Sequence, residues 1–318
     1  MRRNIIWLVL LVLAITSCGR RSGAGSSEKV ITVTIPPLAW FVEGIAGDDY
    51  SVNVLLPPGA DHHIWEPLPA QINSLSGSEA LIINGKLGFE EAWMGRFTQV
   101  NPKIRVLDLS SNIQLIGSEG LMVERSEGPA RGNNGDGDHD AEHAGDGHEH
   151  EDNAHSHGGP DPHYWMSPSA AMIMAHDIMD FLVELNPGSY EKYEANLAAM
   201  TRRIAEVDSL VRDAVATAPN KTVMIYHPAL AYMGRDYGFE QVSFEDEGKS
   251  PSPARMKELI DFARDKEIKT IFIQAEYDLR NAQSLSTETG AKLIVINPMN
   301  RNWPEAVVEI AKAIGSRP

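Results

Sequence analysis

Histidine is the residue type in this chain best suited to chemistry, because 11 of its 318 residues are histidines and most lie together. Between residues 136 and 168, acidic residues and glycines alternate with them. Neutral imidazole is a good ligand for Zn²⁺, Cu²⁺ and Ni²⁺. The segment therefore predicts binding of a divalent metal ion. The histidines of its first part are His139, His143, His148, His150, His155 and His157.

The character of this segment changes at Asp161. Residues 122–160 show neither helical nor strand periodicity, which predicts a disordered histidine-rich loop. Such a loop would bind metal weakly, because ordering it costs entropy at every residue. The alternative for this loop is a solvated low-complexity spacer. Asp161-Pro162-His163-Tyr164-Trp165 instead combines proline with aromatic residues. We therefore expect His163 to be packed and fixed.

Two further histidines, His62 and His63, follow a predicted strand over residues 50–56 and a Pro-Pro-Gly turn. Prolines on both sides stiffen this loop, and Trp65 can pack beneath it. Stiff loops at the edge of a sheet commonly hold binding sites. The alternative is a pair of surface histidines without a function.

Predicted strands alternate with predicted helices on both sides of the histidine-rich loop. This alternation indicates an α/β fold with parallel sheets, in which ligands bind at the carboxyl ends of the strands. In the second half, His227, Glu276 and Asn297 each follow a predicted strand. Together with His63 and His163 they form a constellation drawn from both halves of the chain.

A long helix is predicted over residues 189–217, where apolar residues recur at alternating spacings of three and four. Such a helix is roughly 40 Å long and could join two lobes rigidly. We therefore expect an N-terminal lobe over residues 29–185, a connecting segment over 186–217 and a C-terminal lobe over 218–318.

The N-terminus has the pattern of a secretory signal. Arg2 and Arg3 precede an apolar run at residues 5–15, so residues 1–17 are predicted to be a signal peptide. The run is shorter than the about 20 residues that span a bilayer. Cys18 follows directly, in a pattern that resembles a bacterial lipobox, and we expect it to be lipidated. The alternative is a stray cysteine beside a membrane anchor.

Charge and cysteine content exclude several functions. The formal net charge of −16 disfavours nucleic acid, whose phosphates require clustered Lys and Arg, and suits attraction of cations. Cys18 is the only cysteine, so disulfides and thiolate metal sites are excluded, and metal ligands must be His, Asp, Glu or Asn. Residues 18–28 are rich in Gly and Ser and predict a flexible tether.

Three motifs resemble those of a known family. Residues 57–67, PPGADHHIWEP, and residues 161–168, DPHYWMSP, resemble its first and second histidine motifs. His227, followed by Tyr232 and Tyr237-Gly238, resembles the third. The family is that of metal-specific solute-binding lipoproteins of ABC importers, of the zinc type. The resemblance covers nearly the whole chain after the N-terminal segment.

This resemblance implies two parallel-sheet lobes joined by one long α-helix, with one metal ion in the cleft between them. It implies His63, His163 and His227 as ligands, with His62 and the loop histidines as auxiliary ones. Manganese-type relatives usually carry a glutamate at the third position, so histidine there favours Zn²⁺, although Mn²⁺ or another divalent metal stays open.

The resemblance also implies partners and a location. An ABC permease and its ATPase would receive the metal, and a lipid anchor would hold the chain outside the cytoplasm, in the periplasm or at the cell surface. We expect a monomer that does not bind nucleic acid.

One residue departs from the family pattern. Asn297 occupies the position of a usual aspartate ligand and, being neutral, is a weak ligand. Gln274 occupies the position of the family's glutamate, and Glu276 follows two residues later. The fourth ligand is therefore expected to be Glu276 or a water molecule, with Glu276 favoured because a carboxylate would offset the metal charge.

Two other functional classes fit parts of the pattern. A zinc hydrolase also uses three histidines and a water molecule, and Glu276 would be its general base. The chain lacks an HExxH motif, and we expect it not to be an enzyme. A surface adhesin or metal store would need only the histidine-rich loop.

Overall fold

The structure is a computed structural model that describes residues 29–117, 159–245 and 250–316. The predicted signal peptide, Cys18 and the six histidines at 139–157 lie outside the described residues. No helix within the described residues is both long enough and apolar enough to cross a membrane.

Two four-stranded sheets form the frame of the molecule, and every neighbouring pair of strands in them is parallel. The first sheet has the order β2-β1-β3-β4 and the second β6-β5-β7-β8. The predicted α/β class with two parallel sheets is therefore confirmed. The strands are β1 (Val30–Val33), β2 (Ser51–Val54), β3 (Ser78–Ile83), β4 (Arg105–Asp108), β5 (Thr222–Ile225), β6 (Glu240–Ser243), β7 (Thr270–Gln274) and β8 (Lys292–Ile296).

Proline and glycine mark many of the helix ends. A proline occupies the first turn at the start of several helices, where its missing N–H costs nothing. Gly238 and Gly290 end two helices with φ values of 75° and 72°. The helices are α1 (Pro36–Ala46), α2 (Pro69–Ser74), α3 (Gly88–Val100), α4 (Pro168–Leu185), α5 (Tyr190–Ala216), α6 (Ala231–Tyr237), α7 (Pro253–Asp265), α8 (Leu279–Thr289) and α9 (Trp303–Gly315).

The long helix α5 contributes to a core shared by both sheets. One face of α5 is buried from Tyr193 to Val215, as the apolar spacing predicts. This face packs against α1, α4 and α9. Gly44 of α1 allows the close approach, because a Cβ atom there would lie 2.3 Å from Cε of Met200. The same core includes Ile31 of the first sheet and Phe272 of the second.

A buried carboxylate, Glu90 of α3, organises the loop after β3. Its Oε1 accepts from the backbone N–H of Asn84 at 2.8 Å, and its Oε2 accepts from that of Gly85 at 2.6 Å. Asn84 in turn donates from Nδ2 to the carbonyl of Pro162 at 3.0 Å, and the Tyr164 hydroxyl donates to the Asn84 carbonyl at 2.5 Å. The first sheet thus holds the segment that carries His163.

Glu90 should make stability depend on pH. Burial raises the pKa of Glu90 to about 7, against the lowering effect of its hydrogen bonds. The folded chain then holds this proton more tightly than the unfolded chain, so the free energy of unfolding falls as pH rises from about 4.5 to about 7. Relative to Glu90→Gln, the wild type should lose roughly 3 kcal/mol over this range. Urea unfolding at pH 5 and pH 8 measures the difference.

Glu91→Gln is the matched control for this prediction, because Glu91 is the next residue of α3 and is exposed. It should leave the pH dependence of unfolding as it is in the wild type. A stability difference between wild type and Glu90→Gln that stays constant with pH would contradict the role assigned to Glu90.

Candidate metal centre

Four histidine rings converge at the carboxyl ends of strands from both sheets. One ligand nitrogen from each of His62, His63, His163 and His227 lies within 4.8 Å of the others. Nε2 of His163 lies 3.0 Å from Nε2 of His62 and 3.2 Å from that of His227, and Nε2 of His63 lies 2.8 Å from Nε2 of His227. Tetrahedral zinc with Zn–N bonds of about 2.0–2.1 Å separates its nitrogens by about 3.3 Å. The cluster therefore has spacings close to those of a single tetrahedral ion.

His62 and His63 lie in the loop that follows β2. The Asp61 carboxylate accepts from the backbone N–H of His63 at 2.9 Å, which closes a tight turn. Trp65 packs edge-on against Phe89, with ring centroids 5.1 Å apart. The loop is therefore anchored on both sides of the histidine pair, as the prolines and Trp65 predict.

His163 begins a short 3-10 turn, His163–Met166, just before α4. Oδ1 of Asp161 accepts from both the backbone N–H and the ring Nδ1 of His163, at 2.8 and 2.7 Å. The side chains of both residues are almost wholly buried. Tyr164 and Trp165 are fully buried beside them. The expected packing around His163 is present.

His227 follows β5 and is held by two neighbouring strands. The Gln274 side chain, at the end of β7, accepts from the His227 N–H at 3.3 Å and donates to its carbonyl at 2.7 Å. Oε1 of Glu245, just past β6, lies 2.9 Å from the ring Nδ1. Gln274 therefore fixes the backbone of His227, and Glu245 fixes its ring.

The two carboxylates determine which ring nitrogens face the centre. An ionised carboxylate can only accept a hydrogen bond, so Nδ1 of His163 and of His227 must donate. In the neutral rings, the Nε2 lone pairs then point into the common space, where they suit a cation. Carboxylates behind ligating histidines also raise the basicity of the rings. Asp161 and Glu245 thus supply negative charge next to a cluster of neutral donors.

His62 differs from His163 and His227 in having no carboxylate bonded to its Nδ1. It is 2% exposed, and its Nδ1 has no hydrogen-bond partner among the residues that the structure describes. Burial lowers the pKa of His62 well below its ordinary value, and the nearby charges of His163 and His227 lower it further. The ring is therefore held neutral, the form that binds metal.

Glu276, the fourth ligand favoured by the sequence, and Asn297, expected to be a weak ligand, are not members of this histidine cluster. Burial raises the pKa of the Glu276 carboxyl group; the charge of Asp61 raises this pKa further, and His163 opposes the shift. Its Oε1 is buried and lacks a partner within the described part of the chain. Asn297 is exposed, and its Oδ1 accepts from the backbone N–H of Met299 at 3.0 Å, closing a turn instead. His62, expected to be auxiliary, is the fourth member of the histidine cluster.

Sequence reasoning missed the two supporting carboxylates. Asp161 lies two residues before His163 in the Asp-Pro-His motif, and this spacing was the available signal. Glu245 follows a strand, as His227 and Glu276 do, and the same argument from strand ends could have found it.

Two parallel-sheet lobes joined by a long helix, with histidines of both lobes meeting between them, are features of a metal-ion solute-binding protein. The family model described as "Zinc-uptake complex component A periplasmic" matches residues 31–314. The chain belongs to this family, which confirms the resemblance found in the motifs. It is a transport family and not a class of enzymes.

Curated relatives include proteins named for two metals. The chain is 28% identical to the high-affinity zinc uptake system protein ZnuA of Bacillus subtilis, over 92% of this chain and 88% of the relative. It is 26% identical to the zinc-binding lipoprotein AdcA of Streptococcus pneumoniae, over 93% of this chain, and spans 55% of that relative's length. The manganese-binding lipoprotein MntA of Halalkalibacterium halodurans is 25% identical, with coverages of 92% and 88%.

Solved structures share the fold. A crystal structure of ZnuA superposes with a TM-score of 0.76 at 28% identity, covering 91% of this chain and 98% of that one.

Proposed function

We propose that this chain is the solute-binding component of an ABC importer, which captures Zn²⁺ outside the cytoplasmic membrane and delivers it to a permease. The observation that carries the proposal is the convergence of four imidazole nitrogens, from both lobes, within 4.8 Å. Zinc is the transported cargo, and the protein carries out no reaction on it.

The donor set favours zinc over manganese. Imidazole suits Zn²⁺, whereas Mn²⁺ prefers carboxylate, carbonyl and water oxygens. The carboxylates that contact the cluster, Asp161 and Glu245, bond the far side of the rings through Nδ1. They offset the charge of the ion without becoming ligands themselves. The names of two relatives, zinc uptake protein and zinc-binding lipoprotein, support the same choice.

Capture and release follow from where the ligands lie. His62 and His63 extend from the first sheet and His227 from the second, with His163 between them. Because the four ligand atoms occupy so small a space, a small separation of the lobes would withdraw His227 from the ion. Docking on a permease, which would separate the lobes, would then release zinc.

The anchor and the partners are also part of the proposal. Cys18 follows an apolar run and would carry a lipid, and two relatives are named lipoproteins. The chain would act outside the cytoplasm as a monomer, with a membrane permease and its ATPase as partners. The six histidines at 139–157 would raise the local zinc concentration without forming the tight site.

Isothermal titration of the chain from residue 19 onward, with Zn²⁺ and separately with Mn²⁺, tests the function. We expect one tight zinc site per chain and much weaker binding of manganese. Deleting residues 133–159 should leave that site in place. If the deletion abolished tight binding, the loop would be the site, and a surface metal store would be the better interpretation.

The fourth ligand can be tested by a pair of substitutions. We expect His62→Ala to weaken zinc binding about tenfold or more, because the ring lies in the cluster, and Glu276→Gln to change it far less. Competition titration against a zinc-binding dye measures both. A large loss in Glu276→Gln with none in His62→Ala would instead assign the fourth position to Glu276.

A further inference from the structure

The buried Tyr232, on α6 of the second lobe, connects two distant parts of the chain through its hydroxyl group. The hydroxyl accepts from the backbone N–H of Ile116 at 3.0 Å and donates to the carbonyl of Asp161 at 2.7 Å. Asp161 N–H also donates to the carbonyl of Ile116 at 2.8 Å. These three hydrogen bonds form a closed ring, in which the hydroxyl uses both its donor and its acceptor capacity.

Asp161 in turn contacts His163 of the candidate metal centre. The carboxylate of Asp161 holds His163 by two hydrogen bonds, one to its backbone and one to its ring. Tyr232 therefore fixes the backbone of the residue that orients His163. Helix α6 also begins four residues after His227, so the same short stretch of the second lobe positions both rings.

Neighbouring residues of α6 reinforce this contact. Arg235 donates to the carbonyl of Gln114 at 3.3 Å, and its guanidinium lies 5.1 Å from the centre of the Tyr232 ring. Asp236 accepts from the Ser169 hydroxyl at 2.8 Å and also from that of Ser167. One face of α6 thus binds the chain on both sides of His163, and Tyr232 is the residue of this face that donates a hydrogen bond to Asp161.

We propose that Tyr232 is a positioning residue, which sets the separation of His163 from His227 by holding Asp161 against the second lobe. The inference rests on the proposed function, since it concerns the same metal centre. Without the hydroxyl, Ile116 N–H and the Asp161 carbonyl each lose a buried partner. The Asp161 carboxylate can then shift, and His163 shifts with it.

The test compares two conservative substitutions on the same helix. Tyr232→Phe keeps the ring, which packs edge-on against Tyr164 at 6.3 Å, and removes only the hydroxyl. Tyr237→Phe is the matched control, because its hydroxyl donates to Asp208 at 2.6 Å, on α5 and away from the rings. Tyr232→Phe loses two hydroxyl hydrogen bonds and Tyr237→Phe loses one, so both variants should unfold at a lower temperature.

Two measurements separate positioning from general stability: the visible absorption of the Co²⁺-loaded protein, which reports coordination geometry, and the rate of zinc loss to a chelator. Tyr232→Phe should change the Co²⁺ spectrum and release zinc about tenfold faster, the scale seen when partners behind metal ligands are lost. Tyr237→Phe should match the wild type in both.

Equal spectra and rates for Tyr232→Phe and wild type would overturn the inference and leave the proposed function standing. Equal changes in both variants would also overturn it, because the effect would then be general destabilisation. A wild type that binds neither Co²⁺ nor Zn²⁺ tightly would remove the proposed function itself.

Discussion

Replacing His163 with alanine is expected to abolish tight zinc binding, lowering the affinity at least about a hundredfold. Four-ligand zinc sites bind with about 10–16 kcal/mol, so each ligand accounts for about 2.5–4 kcal/mol. His163 should exceed that share, because its Nε2 is within 3.2 Å of two other ligand nitrogens. Isothermal titration of the variant, with competition for the wild type, measures the loss.

His176→Ala is the control for this substitution, because His176 is exposed on α4 and lies outside the cluster. It should bind zinc as the wild type does. Thermal unfolding without metal checks that His163→Ala is folded, since it leaves the buried Asp161 without its ring partner. Wild-type affinity in a folded His163→Ala would show that this ring is not a ligand.

Acidification is expected to weaken zinc binding, because protons compete with zinc for the ring nitrogens. Affinity should be nearly constant above pH 7.5 and fall below it, since free histidine has a pKa of about 6.5. Each ligand ring that takes up a proton over this range weakens zinc binding further, so affinity at pH 5.5 should be at least about tenfold lower than at pH 7.5. Competition titration across this range, corrected for protonation of the competing chelator, gives the slope of the logarithm of zinc affinity against pH.

The dependence of zinc affinity on pH also distinguishes His62 from the other three histidines of the cluster. Burial lowers its pKa well below the ordinary value, so this ring stays neutral as pH falls. It should add to the pH dependence only under more acidic conditions. The slope should therefore correspond to no more than three protons between pH 7 and pH 5.5. Circular dichroism at pH 5.5 establishes that the fold persists, and unchanged affinity there would contradict a histidine site.

Much of the fold could be predicted because local signals coincide with the ends of its elements. Prolines at 36, 69, 168 and 253 begin helices. The apolar face of α5 could be derived from spacing alone. The strand β2 is shorter than the predicted 50–56. Leu55 and Leu56 still donate backbone hydrogen bonds to Val33 and Thr34 but lie beyond the regular ladder.

The candidate centre was predictable in part. Strand ends and the proline-aromatic setting indicate His63, His163 and His227, and the structure brings their rings together. The direction of His62 could not be predicted, because it depends on a turn closed by Asp61 and on packing elsewhere in the loop. Adjacent loop residues can point either way, and only tertiary contacts decide.

The two sheets have the same strand order, although the candidate metal centre lies between them. Adding four to each strand number of the first sheet gives the second, so the lobes are pseudo-symmetric copies in their topology. The histidines do not follow this symmetry. The loop after β2 carries His62 and His63, whereas its counterpart after β6 carries Glu245. A repeated framework therefore carries an asymmetric histidine cluster, and all four of its rings come from segments outside the strands.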